Sequence, residues 1–516
     1  MKINRLLFLI ISLLLWAVPC YAVTTDVNCS SAANVNTAVG LATSGDTLRC
    51  TASGSWTESA TLVAAKYLTL DLNGYTITLR ESTLGSLIVY QHATGTNRVT
   101  NGNIVRGTFY VDTDRYTGST VVYDLDEAQG LIRIDHINFS GTYVLVEVKG
   151  HYALIDNCTF TSGGAAEMIH ITGPGTSGWS VDVTPGSQYA TYIEDCTAVN
   201  TSTTINNLFQ TYYGARVVSR YNTRGVASVG SVQIETHGTA GSVGARWYEM
   251  YKNTGLLSCI RAGSGVIFSN TVGTIMVEED SGWPELYQVG RGKCQSPPCT
   301  LGSQQDSVPA YHWDSSTLSL NTVGCAAPAA DMVQLNRDVF VPTSGTSLPG
   351  TCTTGQGYWK TDEGGDWDTT HGGANDGKLY KCTATDTWTA YYTPYTYPHP
   401  ARNEETTGSI VWGHTTGVAE PDVRTFASGW TGTGTISSSG DSEKILLASG
   451  QYMNSPIIST GVKAVRINKN KYRAGTASVL KYRTCAVVDC SDVPAFTTYS
   501  DMFNSLGYVQ IRVEAP

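Results

Sequence analysis

Residues 232–255, VQIETHGTAGSVGARWYEMYKNTG, set His237, Arg246 and Glu249 within thirteen positions, beside Trp247, Tyr248 and Tyr251. Imidazole accepts a proton near neutral pH. Guanidinium neutralises negative charge and grips a carboxylate through two parallel hydrogen bonds. Together they suit removal of a proton next to a carboxyl group, where a base takes the proton and a cation stabilises the enolate-like charge. His237 is the candidate base, Glu235 or Glu249 the group that orients it, and Arg246 or Arg261 the neutraliser. Glu235 lies two positions before His237, so on a strand the two share a face. Arg220 belongs to the preceding strand-like phrase and Arg261 opens the next; on stacked segments these arginines, with Arg216, would form a positive strip able to bind an acidic glycan. Trp247 and Tyr248 are candidate platforms for sugar rings. The plainer alternative is a mutual Arg246–Glu249 pair and a loop histidine, with no ligand.

Other chemistries find weaker footing. Glycoside hydrolysis needs two carboxylates about 5 to 9.5 Å apart. The available groups are Asp124, Asp126 and Glu127; Glu194 and Asp195; and Glu278, Glu279 and Asp280. Neighbours on a strand point to opposite faces, so Glu194 and Asp195 cannot both face one groove. No Gly-x-Ser-x-Gly, phosphate loop or His-Glu-x-x-His is present, which sets aside esterase, nucleotide and metalloprotease readings. Arg291 and Arg337 sit beside turn residues and read as structural. Trp179, Tyr212, Tyr213, Trp283, Trp313 and the tyrosines between 391 and 397 exceed what a slim core holds, so some are expected on the surface or over the ends.

The elements that must position these groups follow from composition. Charged residues are 15% of the 516, against about 25% in average globular chains, while Gly (53) and Tyr (29) are abundant. That balance fits an all-β protein with a hydroxyl- and amide-rich surface. A formal charge of -10 with no basic stripe argues against nucleic acid but leaves room for a local arginine cluster. Lys2 and Arg5, the apolar run 6–18 and Pro19-Cys20-Tyr21-Ala22 read as a signal peptide over 1–22, predicting a secreted (extracellular or periplasmic) product. Lipidation at Cys20 is the alternative, which Val18 and Pro19 suit poorly. No later run reaches the ~20 apolar residues of a membrane span. Twelve of the 13 cysteines then remain, with near pairs Cys29–Cys50, Cys294–Cys299, Cys352–Cys382 and Cys485–Cys490.

Short strand phrases closed by polar turns recur: TLDLNGYTITL, RIDHINFSG, LIDNCTFTSG, YIEDCTAVN, VVSRYNTRG, WYEMYKNTG and VIFSNTVG. Phase marks at 134, 155, 193, 217, 247 and 267 give steps of 21, 38, 24, 30 and 20, the spacing of solenoid coils with insertions. A β-sandwich of short strands is the competing reading. Cys158 and Cys196 share a phase with Ile137, predicting a buried cysteine stack or an inter-coil disulfide. Asn222, Asn253 and Asn270 recur in the turns, predicting left-handed bends and a hydrogen-bonded asparagine ladder.

These phrases, with IRAGSGVIFSNTVG, LYQVGRG, LNRDVF and YYTPYTYPHP, resemble secreted bacterial right-handed parallel β-helix proteins, the superfamily that includes pectate lyases, alginate lyases and polygalacturonases. The resemblance covers roughly residues 60–400 and implies architecture. The polygalacturonase aspartate pair is missing, Thr236-His237-Gly238 stands where Gly-His-Gly would, and no calcium-binding aspartate cluster with a downstream arginine is clear. The expected organisation is a right-handed parallel β-helix over 23–400, a linker over 401–409, and a β-sandwich or jelly-roll domain over 410–516 that caps the solenoid or binds sugar. Residues 352–390 form an acidic, Gly-rich stretch read as a disulfide-stapled hairpin. The alternative is a Ca2+ loop built from Asp362, Glu363, Asp366, Asp368 and Asp376. The expected activity is binding and β-elimination of an acidic polysaccharide. The alternatives are a glycan-binding adhesin and a glycoside hydrolase.

Overall fold

In phrases such as RIDHINFSG and LIDNCTFTSG the alternating apolar residues build short strands, and these pair in parallel with the equivalent strand one rung later. The computed structural model describes most of residues 22–402; the main stretches outside it are 80–86, 106–108, 123–130, 176–181, 238–243, 272–274, 278–290, 295–304 and 321–332. Beyond 402 it describes backbone strands only. Among the described residues, one long sheet has 17 strands and a second has 10, the latter parallel throughout. The molecule is therefore largely β with long parallel sheets, as an all-β solenoid requires.

The rungs in the middle of the stack supply two short strands to the long sheet and one to the second. Ala153–Asp156, Thr159–Ser162 and Ile169–Thr172 make one rung; Thr191–Glu194, Thr197–Asn200 and Asn206–Tyr212 make the next. Between the two arms of the long sheet lies a corner with left-handed backbone, at Asn157, Asp195, Tyr221, Lys252, Ser269 and Asp314 in successive rungs. The bend falls one position before the expected Asn222, Asn253 and Asn270. Those three instead turn inward and form the predicted ladder. Asn253 Nδ2 lies 3.1 Å from Asn270 Oδ1, and Asn222 Nδ2 lies 3.2 Å from Asn253 Oδ1. Each side-chain oxygen also accepts a backbone N–H from the corner of the rung before, Cys196 to Asn222 at 2.9 Å and Asn253 to Asn270 at 2.9 Å. Cys158 and Cys196 continue the ladder as free, buried thiols whose Sγ atoms donate to Ile134 O (3.7 Å) and Ile155 O (3.6 Å); the stack forms and the inter-coil disulfide does not.

The corner also fixes the register. Ile134, Ile155, Ser219, Met250 and Ile267 follow one another in the inward column, with Ile193 between Ile155 and Ser219. The expected marks 217 and 247 are thus replaced by 219 and 250. Counting from the start of the phrase misses this, because the arm before the corner varies in its visible onset; counting three back from Cys or Asn finds it. The shift turns Trp247, Glu249 and Tyr251 outward and Tyr248 and Met250 inward.

A helix, Ala32–Leu41, capped by Ser31 Oγ and burying Val35 and Val39, packs on the first rungs. It is the exception to the expected lack of helix. Disulfides Cys29–Cys50 and Cys352–Cys382 form as expected, and Cys259 is also disulfide-bonded. The side chains of Cys294, Cys299, Cys485 and Cys490 lie outside the described residues. The chain divides into two compact units, Met1–Thr396 and Tyr397–Pro516. In the second, strands pair largely antiparallel, as Val479–Cys485 does with Tyr508–Glu514.

Candidate functional site

On the long sheet the outward column reads Asp135, Asp156, Glu194, Arg220, Tyr251, Phe268, Trp313 in successive rungs. Its charges are paired: Arg98 with Asp135 at 2.6 Å, Arg133 with Asp156 at 2.9 Å, Arg220 with Glu194 at 2.7 Å. Its rings stack, Tyr251 on Phe268 at 4.7 Å and Phe268 on Trp313 at 4.6 Å. After the last rung, Val339–Phe340, residues 341–396 fold back over this face. Strands Gly357–Lys360, Lys378–Ala384 and Thr387–Tyr392 bring Trp359 to 5.2 Å from Phe268 and Tyr391 to 5.4 Å from Tyr311, and Trp367, between the first two strands, lies 5.6 Å from Tyr251.

This cover removes most of the expected site from solvent. Arg220 is fully buried; besides Glu194 it donates to Tyr251 OH (2.9 Å) and to the carbonyls of Tyr395 (2.6 Å) and Thr396 (2.9 Å). Glu249 is 2% exposed and accepts from Trp247 Nε1 (2.9 Å), Gly186 N (2.8 Å) and Tyr392 OH (2.8 Å); burial raises its carboxyl above the usual range. Arg246 is 3% exposed beneath the same cover, where its charge opposes the upward push that burial gives the Tyr391 phenol. Trp247 is buried, and Tyr248 lies in the inward core with its hydroxyl 3.4 Å from His312 Nε2. Arg216 donates to Asp182 O at 2.9 Å. The expected arginine strip does not exist: Arg220 and Arg246 are on one sheet under cover, and Arg261 is on the other. Trp247 and Tyr248 present no ring to a sugar, and Glu249 does not orient His237. The cause is the register shift together with a cover whose aromatic residues read in sequence as an end cap.

The second sheet keeps the rest of the expected set together. Its inward residues Ile169, Ile171, Phe209, Ile234 and Ile260 fill the core. Its outward residues run in two columns, His170, Gln210, Glu235, Cys259 and, beside them, Thr172, Tyr212, His237, Arg261. Backbone bonds Thr211 O to His237 N (2.9 Å) and Thr236 O to Arg261 N (3.1 Å) extend the pairing to the last two residues. Arg261 bridges the columns, NH2 at 2.8 Å from Glu235 Oε1 and NH1 at 2.8 Å from His237 Nε2. Glu235, 1% exposed, also accepts from Asn207 Nδ2 (2.8 Å) and Gln210 Nε2. Burial raises its carboxyl above the usual range against the pull of Arg261. The Tyr212 ring lies 4.8 Å from His237 and 4.8 Å from His170, and His170 meets Glu167 at 3.5 Å. Burial, then the charges of Glu167 and Glu235, push the Tyr212 phenol well up, so it stays protonated.

Glu235, His237 and Arg261 were named from sequence; Asn207, Gln210, His170 and Glu167 were not, and Tyr212 was read only as a surface aromatic. The signal for His170, Gln210 and Tyr212 is a second repeating phrase, VEVKG, IHITG, FQTYYG, IETHG and SCIRAG, whose alternate residues are the outward groups; Glu167 and Asn207 lie just before it. Sites named elsewhere contribute little here. Glu194 is paired as above, and Arg337 donates to the adjacent Asp338 through Nε at 2.7 Å. In the acidic stretch the expected stapled sheet forms. Lys360 pairs with Glu363 at 2.6 Å and with Asp362 at 3.0 Å, and Asp368 accepts from Tyr221 OH and meets His371 at 3.1 Å. Among the described residues no group of three or more His, Cys, Asp or Glu is gathered as a metal site would need. Asp124, Asp126, Glu127, Trp179, Glu278, Glu279, Asp280, Trp283, the Arg291 side chain and residues 1–21 of the expected signal peptide lie outside the described residues. Compared with protein-family models, characterised proteins and solved structures, the chain matches none.

Proposed function

We propose that the chain is an exported carbohydrate-active protein of the right-handed parallel β-helix type, with a C-terminal β-sandwich module, and that the outward face of its second sheet binds an acidic polysaccharide and cleaves it by β-elimination. The observation that carries this reading is the Arg261 bridge: a guanidinium anchored on a buried glutamate and hydrogen-bonded to a histidine one rung away, on the face without the 341–396 cover. A substrate carboxylate competes for the same guanidinium hydrogens. As Arg261 turns to it, the Nε2 lone pair of His237 is released to take the proton at C5, while Arg261 stabilises the charge that develops on the carboxyl group. Glu235 keeps the guanidinium on the face through the exchange.

The test is incubation with uronate polymers while following absorbance of the unsaturated product. Product is expected from the native chain. His237→Ala and Arg261→Ala should lower its rate at least about 100-fold, the scale of a lost general base or charge stabiliser, with the histidine variant still binding. A second reading, glycoside hydrolysis, draws on the raised carboxyl of Glu235 beside Glu167; new reducing ends without absorbance would select it. Binding with neither product would leave a glycan-binding adhesin.

A further inference from the structure

The wall that holds His237 also holds a proton donor. Tyr212 and His237 occupy one column on adjacent rungs, about 4.8 Å apart by strand spacing. A chain of polar contacts joins them across three rungs: hydrogen bonds from Tyr212 OH to Gln210 Oε1 (2.5 Å) and from Gln210 Nε2 to Glu235, the Glu235–Arg261 ion pair (2.8 Å), and a hydrogen bond from Arg261 to His237 (2.8 Å). His170 packs on the other side of the Tyr212 ring and fixes its position. A sugar lying against a single sheet meets the half-buried Tyr212, His237 and Arg261 from one side. We propose that Tyr212 donates the proton to the leaving glycosidic oxygen and that the elimination is syn, which restricts the substrate to uronates whose C5–H and C4–O bonds lie on the same face of the ring.

D-Glucuronate and D-mannuronate have that arrangement; D-galacturonate, L-guluronate and L-iduronate do not. The step balances without a co-reactant. His237 takes the C5 proton, the C–H electron pair becomes the C4=C5 double bond, the C4–O bond breaks, and the departing oxygen takes the Tyr212 proton. Imidazolium and phenolate, in ring contact, then return to their starting forms by proton transfer. The inference rests on the β-elimination reading, and it excludes pectate as the substrate, because pectate is a galacturonate polymer.

The experiment compares the native chain on polymannuronate, a glucuronan, polygalacturonate and polyguluronate. Unsaturated product from one of the first two only supports the proposal. Product from polygalacturonate or polyguluronate overturns it and leaves the lyase reading standing; no product from any of the four overturns both. Tyr212→Phe, which keeps the ring against His237 and His170, should lower kcat by about 100-fold or more with KM within about threefold. It should recover on a uronide carrying fluoride at C4, a leaving group that needs no proton. A Tyr212→Phe variant as active as the native chain, or equally impaired on both substrates, overturns the donor role.

Discussion

Arg220 and Arg261 each reach back one rung to a glutamate, Glu194 at 2.7 Å and Glu235 at 2.8 Å, and each has a tyrosine or histidine at its other end. The local chemistry is nearly the same; what differs is the cover. Both side chains of the first pair are 0% exposed and capped by backbone carbonyls of residues 395 and 396, whereas Arg261 keeps 13% of its side chain in solvent. A guanidinium that must satisfy its donors from protein groups becomes structural, and one left at a solvent edge can exchange partners. Residue type at a given phase of the repeat therefore does not separate the two roles. The return of a distant segment does.

The largest expected effect lies on the covered face. Arg220→Ala leaves Glu194 buried without its cation and should cost about 3–5 kcal/mol in chemical denaturation. Replacing both partners by methionine should recover part of that, since the buried charge is then gone. A loss below about 1 kcal/mol, the value of a solvated pair, would break the comparison by showing that the cover is not closed.

A somewhat smaller effect is expected from pH. His312 sits in the inward column after Ile267, and burial pushes its pKa down from 6.5 to about 3. The unfolded chain then binds a proton that the folded chain refuses. Its contribution to stability is whole above about pH 6.5 and falls as the pH drops toward about 3. A native chain should lose stability on the order of a few kcal/mol over that window. His312→Leu should lose correspondingly less, and equal slopes for the two proteins would show that the inward column admits water.

Much of this architecture was legible because the stacked parallel strands repeat one local rule. The corner residues declare themselves as Cys158, Cys196, Asn222, Asn253 and Asn270, and stacking follows once they are aligned. The outward columns of the second sheet were legible only at Glu235, His237 and Arg261, because the phrase carrying them is shorter and its outward residues vary from lysine to tyrosine to arginine. The cover was not. Whether Tyr391, Tyr392 and Tyr395 close an end or a side depends on contacts with Tyr311, Glu249 and Tyr192, made across 80, 143 and 203 residues of chain, and no local pattern encodes such a return. That is why Arg220, Arg246 and Glu249 read as a site and are structural.

The smallest expected stability effect is the most informative. His237 is half-buried and its side chain contributes a hydrogen bond to Arg261, so His237→Ala should cost about 0.5–1.5 kcal/mol, the usual net worth of such a bond. Arg261→Ala should stay well below the Arg220 loss. Glu235 already has Asn207 and Gln210 as donors, and burial already favours its protonated form, so it can take up a proton instead of remaining an unpaired charge. On this face, then, activity should collapse while the melting transition barely moves. On the covered face the transition should move while the fraction that remains folded turns over normally. Paired measurements of product formation and denaturation on Arg220→Ala and His237→Ala test this directly. If both variants lose stability and activity in the same proportion, the two faces are not functionally distinct, and the cover has no bearing on where the ligand binds.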